Sequence, residues 1–409
     1  PDGTDPFGWR QLANDSWAAS ADESGPGPVQ LDLSFREPLL GVQQELPSPL
    51  SAPLLPAAAV PQPDQIADVA ARIAQDETAL PGVIVAGRGQ SEPGALVALS
   101  EALGWPIIAD HRSGVRGAEA LRFHDALLRH PGTLLTDTQR MLRFGEPLSS
   151  KVLSQWTGRL GVDPEAVTGF VPWNRVIDPE RVVVHQLAEF GAAEQILHVI
   201  GQRSLAPCPG WLDRWAVAHR AVSERLDPLL AEPSSEPAIA VRAVRAVPSG
   251  GALVVASSMP VRDVEWFGPQ RSDISVFSNR GANGIDGVVA TAAGVASTGI
   301  PTVCLIGDVA LLHDQSSLTA LSRRSIDLTI VVVDNDGGGI FGMLPQKTQL
   351  DEPTYELLFG TPHGTDLVAL FGAHSIPVVD EMTPRGIRAV IARTNRSETL
   401  AFRQRLNGA

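Results

Sequence analysis

The chain predicts an α/β protein made of two doubly wound domains with mainly parallel sheets. Three observations predict it. Short apolar runs such as 83–86, 302–306 and 328–333 do not alternate with polar residues, which is how strands buried on both faces read. Segments of helical period lie between such runs, the rhythm of strand, helix, strand in an open sheet. Two breaks punctuate the chain: six prolines between Pro47 and Pro63, too many for regular structure, and the cluster Pro207-Cys208-Pro209-Gly210.

Taken in order, residues 8–20 read as a helix and 29–33 alternate as a strand does. After the proline-rich linker at 46–63, residues 64–79 carry Ile66, Val69, Ile73 and Ala74 at helical spacing. Strands are expected at 83–86, 106–109, 133–136, 181–185 and 195–199, and helices at 93–103 and 117–129, giving a central domain over 64–206. The second domain, 207–409, opens on a helix at 211–226 stopped ahead of Pro228. Strands follow at 253–256, 274–277, 303–306 and 328–333, with a helix at 313–324 between the last two. Residues 382–393 then read as a helix and 400–403 as a short strand. Gly87-Arg88-Gly89-Gln90 follows a strand as a phosphate loop does, but it lacks the dinucleotide fingerprint and its downstream acid and reads as a turn.

Composition narrows the function classes. A formal charge of −14 argues against nucleic acid or an anionic membrane as the main partner, although a few local arginines suffice for anionic substrates. No run of about 18 apolar residues predicts an integral membrane segment. Cys208 and Cys304 have no metal-ligand or framework spacing, and a reducing, cytoplasmic setting fits them.

Chemistry concentrates at two strand ends. Gly307-Asp308 closes one apolar run, and Asn335-Asp336-Gly337-Gly338-Gly339 follows the end of the next, with 27 positions from Asp308 to Asn335. Open sheets bind ligands beyond the carboxyl ends of their strands. Mg²⁺ takes oxygen ligands, few of them carboxylates, and completes its shell with phosphate and water. Asp308, the Asn335 amide oxygen and a backbone carbonyl meet that demand, and consecutive glycines let backbone approach a phosphate. Either half alone reads as an ordinary turn; together they read as a metal and diphosphate cradle. Arg262 and Arg280 lie just past two other strand ends, where guanidinium forks suit carboxylates, or else remain solvated surface arginines.

The Gly-Asp to Asn pair resembles the diphosphate motif of the thiamine-diphosphate (ThDP) enzymes. Five further blocks resemble the 2-succinyl-5-enolpyruvyl-6-hydroxy-3-cyclohexene-1-carboxylate (SEPHCHC) synthases of menaquinone biosynthesis within that superfamily. They are residues 27–39, Ser258-Met259-Pro260-Val261-Arg262-Asp263, residues 278–287, Asp336-Gly337-Gly338-Gly339-Ile340-Phe341, and Phe359-Gly360-Thr361-Pro362-His363. They occur in the family's order, most densely from about 250 to 365.

The resemblance implies a transferase that decarboxylates 2-oxoglutarate and adds the resulting carbanion equivalent to isochorismate, with the cofactor supplying the reactive carbon. ThDP is expected on Gly307, Asp308, Val309, Ile285, Asn335, Gly337 and Gly338, with Mg²⁺, or Mn²⁺ in its place, on Asp308, Asn335 and the Gly337 carbonyl. Ile285 takes the place of the apolar wedge that holds the cofactor bent. Arg262 and Arg280 are expected on substrate carboxylates, with Ser258 and Lys151 near the substrate. Ile340, Phe341 and Leu344 either wall the pocket for the isochorismate ring or make core contacts of the next helix. His363 matches a family feature without a derived role, and Asp314 is a candidate helix cap. A homodimer or homotetramer is implied for the whole protein.

The start, Pro1-Asp2-Gly3-Thr4-Asp5-Pro6, lacks Met and reads as the interior of a longer chain. Residues 1–45 then resemble the exit of an N-terminal pyrimidine-binding domain, the domain that carries the family's cofactor-activating glutamate. The expectation is a chain holding the diphosphate half of the site and inactive alone. Two alternatives stand beside it: another ThDP-dependent 2-keto acid decarboxylase or carboligase, and a noncatalytic ThDP-binding fragment.

Overall fold

A computed structural model describes residues 6–20, 27–34, 59–89, 91–172, 178–232, 234–279 and 283–408. Two five-stranded parallel sheets dominate it. The first joins β1 (Gly82–Ala86), β2 (Ile107–Ala109), β3 (Arg140–Phe144), β4 (Val167–Val171) and β5 (His185–Ala188) in the order β2-β1-β3-β4-β5. The second joins β6 (Ala252–Val255), β7 (Ser275–Phe277), β8 (Thr302–Gly307), β9 (Leu328–Asp334) and β10 (Ile387–Arg393) in the order β10-β9-β8-β6-β7. The two doubly wound α/β units expected from the sequence are therefore present. No helix among the described residues is long and apolar enough to cross a membrane.

Several expected elements are different. The segment 29–33 has no regular structure, since no strand among the described residues pairs with its backbone. The helix expected over 64–79 is Pro63–Arg72, followed by a tight hairpin pairing Ala74 with Ala79 and turning at Asp76 in the left-handed region. Of 117–129 only His124–Arg129 is helical, because Leu121 donates its N–H to Ile107 at the edge of the first sheet. Residues 134–137 form one helical turn, and the strand is Arg140–Phe144. The strand expected at 181–185 falls at His185–Ala188, and 195–199 lie inside the helix Ala192–Gln202, whose Ala192, Ile196 and Ile200 bury one face. At the C-terminus helix and strand exchange places. Residues 387–393 pair along β9 as an edge strand, and 400–403 fall within the helix Arg396–Gly408.

The first sheet's core extends to the helix Trp211–Leu230, whose Trp211, Trp215 and Leu226 pack into it; that helix runs on through Pro228 in its last turn. The indole of Trp211 donates to the Gly82 carbonyl at 2.7 Å. The second sheet has one apolar layer on each face. The helix Met259–Phe267 spans the junction: Ser149 N–H donates to Glu265 at 2.7 Å, and the fully buried Arg116 donates to the Glu265 carbonyl at 3.0 Å.

Candidate functional site

In the second sheet the chain leaves β6 to one side for β7 and returns to its other side for β8, so the topological switch point lies between β6 and β8. Their carboxyl ends, with that of β9, open on a cavity of about 350 Å³. Its walls include Ser258, Ile285, Gly307, Asp308, Asn335 and Gly337, with Ile340 and Phe341 on one side. Residues far apart in sequence converge here because β8 and β9 are in register, Gly307 opposite Val333.

Asp308 is buried, 2 % exposed, and organises the floor. Its Oδ2 accepts the backbone N–H groups of Asn335 at 3.1 Å and Gly337 at 3.0 Å and lies 3.3 Å from His363 Nε2. His363 Nδ1 accepts the Thr365 N–H at 3.0 Å, so Nε2 carries the proton and donates to Asp308. Among the described residues Oδ1 accepts the Val309 N–H alone, at 2.7 Å, and so keeps accepting capacity, on a residue that lines the cavity. Asp336 sits with φ 57 and caps a distant loop, accepting Gly364 N–H at 2.8 Å and His363 N–H at 2.9 Å; these bonds hold its carboxyl below the usual range. Ligand atoms of Asp308, Asp334 and His363 lie within 4.8 Å of one another.

The residues present fit a hard cation and a diphosphate. Asn335 Oδ1 is buried with no hydrogen-bond partner among the described residues, while its Nδ2 is taken by Glu236 at 2.7 Å. An orphaned amide oxygen beside a carboxylate is a donor set for Mg²⁺ or Mn²⁺. Gly337 has φ +135, and a Cβ there would lie 2.0 Å from the Gly360 carbonyl oxygen; at Gly338 it would lie 2.3 Å from that of Phe359. These two positions need glycine because backbone packs on backbone.

Ser258 is held at φ 70, ψ −130, a conformation costly for a side-chain-bearing residue, directly on the cavity. Arg262 is half-buried and donates to the Ser258 carbonyl at 2.6 Å; it borders the cavity without lining it. Leu344 is 42 % exposed and also stands outside the lining. Lys151 is exposed at the start of the helix Lys151–Leu160 in the first unit and does not line the cavity. Arg280 lies outside the described residues. Asp314 caps, but not its own helix: its Oδ2 accepts the N–H groups of Val289 at 2.7 Å and Ala290 at 3.1 Å, at the start of Val288–Ala296.

Sequence reasoning missed Glu236, Asp263 and Thr361, all on the cavity wall. Asp263 and Thr361 stand inside motif blocks and were within reach. Glu236 had only the Ser-Glu-Pro signal of a helix start, which the structure uses: Ser235 caps Glu236–Ala246.

Comparison with known proteins identifies the two units. Residues 64–255 match the family model described as the middle domain of thiamine pyrophosphate enzymes, and residues 259–402 match the C-terminal TPP-binding domain of thiamine pyrophosphate enzymes. The chain is 36 % identical to the SEPHCHC synthase of Myxococcus xanthus, over 95 % of this chain and 71 % of that protein. It is 39 % identical to that of Rubrobacter xylanophilus, over 83 % of this chain and 60 % of that protein. The chain thus spans about three fifths to seven tenths of the length of these relatives. The crystal structure of benzoylformate decarboxylase from Polynucleobacter necessarius shares the fold, with a TM-score of 0.53 at 16 % identity, over 87 % of this chain and 68 % of that one. The two matched domains and the identity to full synthases place the chain in the SEPHCHC synthase family of ThDP-dependent enzymes.

Proposed function

We propose that this chain serves SEPHCHC formation, the ThDP- and Mg²⁺-dependent decarboxylation of 2-oxoglutarate and ligation of the remaining carbons to isochorismate. The observation that carries the reading is the convergence of the Asp308 carboxylate and the orphaned Asn335 Oδ1 on one cavity at the switch point. Asp308, Asn335 and the Gly337 carbonyl would hold Mg²⁺, with Mn²⁺ acceptable to the same oxygens. Gly307, Val309 and Gly338 would border the diphosphate. When bound, ThDP supplies the carbanion equivalent that the protein alone cannot form.

The remaining work falls to this chain's side chains. Ile285 reaches the cavity from the turn before Val288–Ala296, where it would serve as an apolar wedge against a bound cofactor. Ile340 and Phe341 give the acceptor ring an apolar wall and keep water from the reacting carbon. Arg262, tied to the Ser258 carbonyl, would turn toward a substrate carboxylate, as would Arg280; Lys151 would stand near the substrate only at a distance from this cavity, and Leu344 would close the wall. The carboxylates on the cavity are already committed: Asp308 to backbone N–H groups, Glu236 and Asp263 to Arg403. A homodimer or homotetramer in a cytoplasmic setting belongs to the same reading.

Calorimetric titration with ThDP tests the cradle. Binding should require Mg²⁺ and be lost in Asp308→Ala; equal binding by the variant would sink the assignment. With a protein containing this chain, CO₂ release from 2-oxoglutarate should accompany isochorismate consumption. Turnover of pyruvate with isochorismate untouched would move it to another ThDP decarboxylase.

A further inference from the structure

A carboxamide presents an oxygen or an NH₂ group, and only the oxygen can ligate a cation, so something must choose the face that Asn335 turns to the cavity. The chooser is 99 residues away. Glu236 Oε1 sits 2.7 Å from Asn335 Nδ2. An ionised carboxylate only accepts, so the amide must offer its NH₂ to Glu236 and its oxygen to the other side. Glu236 is itself immobilised. It is 3 % exposed, its Oε2 accepts Arg403 Nη2 at 3.0 Å, and Thr394 Oγ1 lies 3.3 Å from its Oε1. Arg403, 5 % exposed, also grips Asp263 with two hydrogen bonds, one of 2.7 Å. A chain of contacts therefore runs from the last helix of the described chain to the amide at the cradle.

We propose that Glu236, locked by Arg403, is the positioning residue that fixes the Asn335 amide with its oxygen toward the cation. This rests on the cradle reading above. The network predicts a specific failure. In Glu236→Gln, Arg403 has only N–H donors and claims the glutamine oxygen, leaving the glutamine NH₂ to face Asn335. Two donors cannot pair, so the Asn335 amide turns over and presents its own NH₂ to the cation. In Asn335→Asp beside an intact Glu236, two carboxylates confront each other. In the double variant Glu236→Gln/Asn335→Asp, the glutamine NH₂ donates to one aspartate oxygen and the other faces the cation, restoring the ligand.

The test is Mg²⁺ titration of the full chain with saturating ThDP, repeated with Mn²⁺ and read calorimetrically. Each single variant should lose about 10- to 100-fold in metal affinity, the usual cost of a lost supporting contact, and the double variant should return to within about threefold of wild type. A merely structural role predicts a double variant at least as weak as the weaker single one, and that result overturns the proposal. So does wild-type affinity in Glu236→Gln. If Glu236→Gln fails to fold, the amide protons of Asn335 in the ¹⁵N-labelled wild-type protein decide: protection from solvent exchange supports the proposal, and solvent-like exchange defeats it. Asp308→Ala separates the two levels. Loss of Mg²⁺ binding there with no change in Glu236→Gln defeats the positioning role alone, whereas unchanged binding in Asp308→Ala, or none in wild type, defeats the cradle and this inference with it.

Discussion

Asp308 Oδ2 accepts the backbone N–H of Gly337 at 3.0 Å across 29 residues of chain, and with the Asn335 N–H this makes the carboxylate the clasp between β8 and the glycine loop. Removing it leaves buried donors unpaired even with no ligand present. Asp308→Ala is expected to lose about 1–3 kcal/mol of stability, seen as a lower urea midpoint in metal-free, cofactor-free protein. An unchanged midpoint would mean that the loop is held by other contacts.

Two glycines of the cradle should fail in different ways. At Gly337 the backbone is at φ +135 and a Cβ would strike the Gly360 oxygen, so Gly337→Ala is expected to cost about 1–3 kcal/mol in thermal or urea unfolding. Gly307 has φ −82, and a Cβ there meets nothing within 4 Å. Gly307→Ala should keep wild-type stability while its methyl group intrudes on the cavity and weakens ThDP binding. Equal stability of the two variants would contradict the close backbone approach at Gly337.

The legible part of this site is the part made by strand ends. β8 and β9 are apolar along nearly their whole length because they are central strands buried on both faces, so Asp308 and Asn335 stood out where polarity begins. β3 was hidden because Arg140 and Arg143 interrupt its apolar run; Arg143 is buried against Glu180 at 3.0 Å, a partner that local pattern cannot reveal. The exchange of helix and strand at the C-terminus has a related cause. β10 is an edge strand with mixed burial, and such a strand shows neither period clearly. Glu236 was illegible because its role exists only through contacts 99 and 167 residues away.

The junction between the two sheets predicts sensitivity to acid. His111, 3 % exposed, donates from Nε2 to the Pro269 carbonyl at 3.1 Å, and its Nδ1 has no partner among the described residues. Burial holds its imidazole well below the ordinary value of 6.5, and Arg116 and His124 add to this against the pull of Glu265. The unfolded chain therefore takes up the proton first as pH falls. Stability from this residue is complete above pH 6.5 and declines below it, by up to about 1.4 kcal/mol per pH unit. His111→Gln keeps a donor for Pro269 without titrating, so its urea midpoint should fall less than that of wild type between pH 7 and pH 5. His219, also held low by burial, leaves a residual slope in the variant. Equal slopes would exclude His111 as a source.

Arg403 offers a second pH signature, of opposite sign. It is the sole cation bonded to both Glu236 and Asp263 among the described residues, and both carboxylates are nearly inaccessible to water. Burial already pushes the Asp263 carboxyl upward, with Arg403 as the main opposing influence. Arg403→Leu fills the space but leaves two carboxylates facing each other, a loss expected at about 3–5 kcal/mol. Without the arginine, Asp263 rises further above its unfolded value, so the folded variant binds a proton that the unfolded chain has released. Its stability deficit against wild type should then widen as pH rises from 4 toward 8. Taking that difference in urea unfolding at each pH cancels the histidine contributions common to both proteins. A deficit independent of pH would show that the arginine acts through packing alone.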